Sequence, residues 1–128
     1  MRNYDFHELL SASEFQQFAK SVLEIKENKK VKSNPMTKDG GIDLYYLDEN
    51  TIVQVKNYQN KATQVLSELK KEMGRIKELN PERYIIITAA EIGKEKREKL
   101  IKMFEGYLQK EDIIDKNDLN DLLSKSKY

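Results

Sequence analysis

The sequence contains no cysteine and no tryptophan, and only two prolines and five glycines occur among its 128 residues. The lack of cysteine excludes disulfide bonds and metal sites built on thiolates. No apolar stretch approaches the roughly 18 residues that a membrane span requires, so we expect no association with a membrane. A chain with these absences is typical of the cytoplasm, and we expect that localisation.

The charge of the sequence is nearly balanced, because 23 basic and 22 acidic residues leave a net charge of +1. A global basic signature is therefore absent, and any binding to nucleic acid must use a local patch. Charged residues make up 35% of the chain and hydrophobic residues 38%. We expect one domain over residues 1–128, large enough to bury a core of its own.

The stretch Asp39–Tyr58 organises the rest of the chain. Its sequence, DGGIDLYYLDENTIVQVKNY, contains two short apolar segments joined by a polar tip. This pattern predicts a β-hairpin, with strands over Ile42–Leu47 and Thr51–Asn57 and a turn at Asp48–Asn50. The glycine pair before the first strand permits a turn or the close approach of a ligand to the backbone.

The apolar residues of the two strands alternate with polar ones. Side chains on a strand point alternately to opposite faces, so one register buries both apolar sets together. That register pairs Leu44 with Val55 and Tyr46 with Val53. The hairpin is therefore expected to present an apolar face and a second, chemically different face.

The second face of the hairpin collects polar side chains. The same register puts Asp43 opposite Lys56 and Tyr45 opposite Gln54, and directly opposed residues lie roughly 4.5 to 5.5 Å apart. The sequence thus predicts that Asp43, Gln54 and Lys56 share one side of the sheet. Opposed charges across strands are also common on ordinary hairpin surfaces, so a purely structural role is the competing interpretation.

These residue types suit a hard divalent cation, which prefers oxygen ligands. Asp43 can supply a carboxylate, Gln54 an amide oxygen and Val55 its backbone carbonyl. Lys56 could then orient or help deprotonate an attacking water and stabilise charge on a phosphate. The pattern predicts a metal-assisted hydrolytic site that uses a hard divalent cation.

The order G-G-I-D, a short gap and Q-V-K resembles the PD-(D/E)xK nuclease superfamily in its Mrr-like restriction endonuclease branch. That branch commonly reads D…QxK, and Asp43, Gln54 and Lys56 match its three positions. The resemblance covers most of the chain. It includes a leading helix with Phe near its start (Glu14–Phe18), the strand Tyr84–Thr88, and the closing segments Asp112–Asp115 and Asp118–Leu119.

The sequence departs from the resembled family at one position. In that family a helix acid just after the Phe often reaches the metal site, but the residue after Phe15 is Gln16. Either Glu14 substitutes as a catalytic residue, or the site lacks its third acid and holds metal weakly. Glu14 could instead serve only as a charge near the helix N-terminus, where the helix dipole stabilises it.

The remaining patterns predict an α/β fold with a mixed sheet between helices, in the restriction-endonuclease-like αβββαβ order that the resemblance implies. Ser11 or Ser13 caps a first helix that ends near Asn28. Its apolar stripe is Phe15, Phe18, Ala19, Val22 and Ile25. Further elements are a poor edge strand within 29–36, helices over Ala62–Leu79, Lys94–Leu108 and Asp118–Leu123, a central strand at Tyr84–Thr88 and a short last strand at Ile113–Ile114.

The resemblance implies a Mg²⁺-dependent deoxyribonuclease that cleaves double-stranded DNA in restriction or phage defence. Lys38, Tyr58 and Lys61 are candidate contacts to the DNA, although Tyr58 also suits packing at the rim of the sheet. Members of that family are often fused to or associated with a recognition or ATPase module. We therefore expect a fragment of a longer protein, a stand-alone domain, or one subunit of a homodimer.

Three other interpretations remain open. The chain could be a catalytically degenerate nuclease fold that binds DNA without cutting it. It could also be a nuclease with another role, such as junction resolution or RNA cleavage. In the third interpretation it is an interaction domain whose hairpin charges are structural. Metal-dependent nicking of plasmid DNA, lost in Asp43→Ala, separates the first of these from an active endonuclease.

Overall fold

The computed structural model describes residues 4–33, 44–56 and 62–126. These residues form a five-stranded sheet flanked by helices. The helices are α1 (Phe6–Leu9), α2 (Ala12–Glu27), α3 (Ala62–Lys70), α4 (Met73–Leu79), α5 (Lys94–Met103) and α6 (Lys116–Ser126). The strands are β1 (Val31–Ser33), β2 (Leu44–Tyr46), β3 (Thr51–Lys56), β4 (Arg83–Thr88) and β5 (Leu108–Ile114). None of the helices in this described part is long and apolar enough to cross a membrane.

The strands follow one another across the sheet in the order β1-β2-β3-β4-β5. Strands β1, β2 and β3 pair antiparallel, whereas β3, β4 and β5 pair parallel. The direction changes at β3 because the connections that follow it cross over through helices, and parallel neighbours require such crossovers. The predicted mixed sheet between helices is confirmed, and β1 confirms the expected edge strand.

The register of the β2–β3 hairpin differs from the predicted one by two residues. Leu44 pairs with Val53, so the predicted pairs of Leu44 with Val55 and of Tyr46 with Val53 are wrong. A shift of two residues leaves every side chain on its predicted face. The alternation of faces is therefore correct, while the cross-strand partners are not.

The observed register goes with a longer loop between the two strands. Strand β3 begins at Thr51, as predicted, but β2 ends at Tyr46, one residue before the predicted end at Leu47. Tyr45 pairs with Ile52, so its predicted position opposite Gln54 is wrong. The alternation of apolar and polar residues is the same in registers two residues apart, so it does not choose between them.

Each face of the sheet carries its own hydrophobic cluster. Helices α1, α2 and α6 cover one face, which we call the α2 face, and helices α3, α4 and α5 cover the other, the α3 face. Buried residues of the α2 face include Phe15, Leu23, Leu44, Val53, Ile85, Ile87 and Leu119. Those of the α3 face include Ile52, Val65, Leu69, Tyr84, Ile86, Leu100 and Phe104.

Helix α2 begins and ends where the sequence predicts. The Ser11 hydroxyl accepts a hydrogen bond from the Glu14 amide at 3.2 Å, and Glu14 Oε1 accepts one from the Ser11 amide at 2.9 Å. Asn28 ends the helix in the left-handed conformation, with φ of 54°. Leu23 of this helix is buried although it was not predicted to be part of the apolar stripe, and Ile25, which was predicted to be part of it, is 63% exposed.

The predicted helix over Ala62–Leu79 is divided in two. At the division the amide of Lys71 donates to the carbonyl of Glu68 and that of Glu72 to Leu69, so the spacing of the hydrogen bonds falls from four residues to three. Hydrophobic periodicity does not reveal the break, because the apolar positions on either side keep their helical spacing.

Helix α5 ends at Met103, five residues before the predicted end at Leu108. Gly106 has φ of 95°, a conformation that favours glycine and stops a helix. Leu108 then begins β5, which is longer than the predicted strand at Ile113–Ile114. Gly106 is the sequence signal that the prediction missed.

An ion network joins α2, β4 and β5 on the α2 face. The Arg83 guanidinium donates to both carboxylate oxygens of Asp112, at 3.1 and 2.8 Å, and to Glu27 Oε1 at 2.6 Å. Its Cζ lies 5.9 Å from the centroid of the Tyr46 ring. Bidentate pairing of this kind fixes geometry as well as charge, so the network holds the end of α2 against the sheet.

Candidate active site

Gln54 and Lys56 lie on the same face of β3, as alternation predicts. Both belong to the α3 face, because Ile52, two residues before Gln54, is part of the cluster on that side. Lys56 is the last residue of β3 and pairs with Thr88, the last residue of β4. Ligands of open α/β sheets bind outside the carboxyl ends of the strands, so Lys56 occupies a position suited to function.

The side chain of Gln54 is fully buried and held by a tyrosine. Gln54 is 0% exposed, and its Oε1 accepts a hydrogen bond from the Tyr84 hydroxyl at 3.2 Å. The Tyr84 ring packs against Phe104 with a centroid distance of 4.9 Å. The amide oxygen therefore has a defined direction inside a largely apolar layer.

Lys56 is also withdrawn from solvent, at 8% exposed. Lysine is rarely buried to this degree without a partner or a function. Its backbone carbonyl accepts from the amide of Ala89 at 3.0 Å, and the neighbouring Thr88 hydroxyl accepts from the amide of Ala90 at 3.1 Å. These bonds fix the backbone that carries the amine and give the carboxyl edge of the sheet a rigid frame.

Several predicted site residues lie outside the part of the chain that the structure describes. They are Asp43, Lys38, Tyr58 and Lys61. The predicted register was the basis for putting Asp43 directly opposite Lys56, and that basis is removed by the two-residue shift. The assignment of all three polar residues to one face depended only on alternation, and for Gln54 and Lys56 it is confirmed.

Val55 lies between these two residues, and its side chain points to the opposite, α2 face, where it packs against the core. Its backbone belongs to β3 and pairs in parallel register with Ile87. The predicted role of the Val55 carbonyl as a metal ligand stays a prediction.

Glu14 is not brought to Gln54 and Lys56. It lies in the first turn of α2, which packs on the opposite face of the sheet, and its carboxylate accepts from the Ser11 amide. Hydrogen bonding from the Ser11 backbone and hydroxyl lowers the pKa of the Glu14 carboxyl. The structure therefore shows a capping function for Glu14, while its predicted catalytic role stays a prediction.

A second polar cluster lies near the carboxyl edge of the sheet, around Arg97. Its guanidinium donates to Asp118 Oδ2 at 2.7 Å and to the carbonyl of Ile92 at 3.1 Å, and it lies 3.1 Å from Asp115 Oδ1. Asp115 Oδ2 in turn accepts from the Ile92 amide at 2.8 Å. Burial raises the pKa of the Asp115 carboxyl. These groups satisfy one another, so the cluster joins α5, β5 and α6 and is structural.

The described residues supply only part of a metal site. Among 4–33, 44–56 and 62–126, no group of three histidine, cysteine, aspartate or glutamate side chains is arranged to hold a metal ion. The Gln54 amide oxygen and the backbone of β3 are oxygen donors of the kind that Mg²⁺ prefers. The carboxylate that such a site would need is predicted to come from Asp43, and the oxygen donors that are described fit a hard cation.

Sequence reasoning missed Tyr84. Its strand, RYIIIT, appears as a continuous apolar run, and this pattern predicts only a central, fully covered strand. A tyrosine in such a strand nevertheless carries a hydroxyl that needs a hydrogen-bond partner when buried. That requirement was the available signal, and the partner is Gln54, a polar residue on the same face of the adjoining strand β3.

Comparison with known proteins gives one match. The model of the Mrr_cat family, described as restriction endonuclease, matches residues 8–123 and thus nearly the whole chain. No curated protein and no solved structure matches the chain. The match includes the hairpin strands, both helical layers and the carboxyl edge where Gln54 and Lys56 lie.

Proposed function

Because the chain belongs to the Mrr_cat restriction endonuclease family, we propose that it is a metal-dependent endonuclease domain that hydrolyses phosphodiester bonds of double-stranded DNA. The family implies nuclease activity, and the dependence on Mg²⁺ or Mn²⁺ is part of the proposal. One observation carries it. Gln54 and Lys56, two positions of the D…QxK pattern, are buried side by side on one face at the carboxyl edge of the parallel strands.

The proposal gives each residue a separate role. Asp43, Gln54 and the Val55 carbonyl would hold the cation, and Lys56 would bind the scissile phosphate. When bound, the cation neutralises phosphate charge and favours ionisation of the attacking water. The Lys56 amine acts in a poorly solvated position, where its charge interacts more strongly with a phosphate than it would in water.

A glutamine instead of an acid removes one negative charge from the donor set. Affinity for a hard cation depends on the number of charged ligands, so we propose weak binding in the millimolar range. Full activity would then depend on an assembled state, such as a homodimer that cuts both strands or a complex with a recognition or ATPase module. The proposed setting is restriction or phage defence in the cytoplasm.

A catalytically degenerate DNA-binding module is the second candidate. Two observations favour it: Gln54 contributes no charge, and Glu14, the nearest acid to the position where the family often has a metal ligand, is engaged in a helix cap. Such a module would bind duplex DNA and leave it intact in Mg²⁺ or Mn²⁺. A junction-resolving nuclease is a third candidate, which a comparison of branched and linear substrates would detect.

The first prediction concerns Lys56. Purified protein should convert supercoiled plasmid to nicked and linear forms when Mg²⁺ or Mn²⁺ is added. Lys56→Ala should lower the rate by at least about 100-fold, because the charge that binds the phosphate is lost. The matched control is Lys99→Ala, which removes an exposed amine from α5 and should cleave normally.

The outcomes separate the candidates. Full cleavage by a folded Lys56→Ala protein would contradict the proposed mechanism. If the wild-type protein binds plasmid DNA but does not nick it when metal is present, the degenerate DNA-binding module is the correct candidate. If neither metal nor DNA alters the melting temperature of the wild-type protein, both proposals fail and an interaction domain remains.

A further inference from the structure

The hydrogen bond between Tyr84 and Gln54 is the structural feature from which this inference starts. The Tyr84 hydroxyl donates to Gln54 Oε1 at 3.2 Å, and both side chains are 0% exposed. The two residues come from adjacent parallel strands, since Tyr84 pairs with Ile52, two residues before Gln54. The bond therefore spans the two central strands on the face that carries Lys56.

The ring of Tyr84 cannot easily move away from this bond. It packs against Phe104 at a centroid distance of 4.9 Å and lies in the hydrophobic cluster of the α3 face. This packing holds the Tyr84 hydroxyl in one position. Glutamine has three rotatable bonds, and a fixed donor selects one orientation of its amide.

We propose that Tyr84 is a positioning residue for the cation site, which aims the Gln54 amide oxygen at the metal; this inference rests on the proposed function. The Tyr84 hydroxyl donates to the Gln54 amide oxygen and so restricts the direction in which that oxygen faces. Hydrogen bonds of this kind orient ligand side chains, and their loss typically weakens metal binding about tenfold or more. The tyrosine itself contacts neither the cation nor the DNA.

The test is a double-mutant cycle that measures metal binding in the absence of DNA, so it does not depend on cleavage activity. The wild-type protein, Tyr84→Phe, Gln54→Ala and the double variant are titrated with Mn²⁺, and the metal concentration at half-maximal rise in melting temperature is recorded. The matched control is Tyr107→Phe. It removes a hydrogen bond of the same 3.2 Å length, from the Tyr107 hydroxyl to Asn80 Oδ1, at an exposed position.

Tyr84→Phe should raise the half-maximal Mn²⁺ concentration about tenfold, and Tyr107→Phe should leave it unchanged. In the Gln54→Ala background, Tyr84→Phe should have no further effect on this concentration, because the oxygen it orients is gone. The melting temperature without metal verifies that each variant folds, since phenylalanine keeps the packing against Phe104.

Two results would overturn the inference alone. One is a Tyr84→Phe protein that melts at a lower temperature but keeps the wild-type Mn²⁺ requirement, as a merely structural tyrosine would. The other is an effect of Tyr84→Phe that persists in full when Gln54 is alanine. If the wild-type protein shows no Mn²⁺-dependent stabilisation at all, the metal site of the proposed function fails, and this inference fails with it.

Discussion

The candidate site contains one neutral residue, Gln54, and one buried amine, Lys56, on the same face of β3. Their common face was predictable, because alternation along a strand does not depend on the exact register. The support that Tyr84 gives to Gln54 was not predictable from periodicity, since a tyrosine within an apolar run counts as an apolar residue. Which polar side chains share a face thus follows from a single strand, whereas their hydrogen-bond partners come from neighbouring strands.

At this scale we predict that Gln54→Glu tightens metal binding. A carboxylate adds a negative charge to the donor set, so the Mn²⁺ concentration for half-maximal thermal stabilisation should fall by about tenfold. Without metal the buried carboxylate should lower the melting temperature, because burying a charge is unfavourable. Gln109→Glu makes the same change at an exposed position of β5 and should alter neither quantity. An unchanged Mn²⁺ requirement in Gln54→Glu would place residue 54 away from the cation.

Among the elements, helix α2 shows how far local sequence rules extend. Its start at Ser11 and its end at Asn28 follow from capping signals within a few residues, and both are confirmed. The break between α3 and α4 was missed, and the predicted hairpin register is wrong. Registers two residues apart put the same side chains on each face, so the alternation of apolar and polar residues could not choose between the predicted register and the observed one.

The capping box provides the prediction that belongs to this scale. Ser11→Ala removes the hydroxyl that accepts from the Glu14 amide and should lower the free energy of unfolding by about 1 kcal/mol. Glu14→Ala removes the reciprocal bond and should change stability in the same direction. Because α2 packs on the face opposite to Gln54 and Lys56, neither variant should change the Mn²⁺ requirement. Urea denaturation and the metal titration measure the two effects separately.

The comparison of these two variants also decides the catalytic role predicted for Glu14. Ser11→Ala disrupts the cap and keeps the carboxylate, so it is the matched control for Glu14→Ala. A higher Mn²⁺ requirement in Glu14→Ala alone would show that the Glu14 carboxylate reaches the cation. Equal requirements in both variants would leave Glu14 with the capping function that the structure shows.

At the scale of the whole molecule, the ion network and the candidate site lie on opposite faces of the sheet. The ions on the α2 face hold helix to sheet, whereas the α3 face buries Gln54 and Lys56. The order of elements and the mixed sheet were predictable from the sequence. The ion network was not, because Glu27, Arg83 and Asp112 are separated by dozens of residues and each alone resembles an ordinary surface charge.

This network predicts a loss of stability in acid. The Arg83 guanidinium lowers the pKa of the Glu27 carboxyl from 4.5 to about 2. A carboxyl whose pKa is lower in the folded state stabilises the fold above its unfolded pKa, and this contribution disappears as the pH falls through the folded pKa. The free energy of unfolding should therefore decrease between about pH 5 and pH 2. The Glu27 contribution should be on the order of 1 to 3 kcal/mol, since solvent screens part of it.

Urea denaturation at successive pH values measures this decrease, and Glu27→Gln should make the profile shallower because the titrating group is absent. Glu111→Gln, which removes an exposed acid from β5, is the matched control and should keep the wild-type profile. If Glu27→Gln lost stability between pH 5 and pH 2 as steeply as the wild type, the acid sensitivity would have to come from other carboxylates. Because Lys56 lies on the opposite face, any Glu27→Gln protein that remains folded at neutral pH should also keep the wild-type Mn²⁺ requirement.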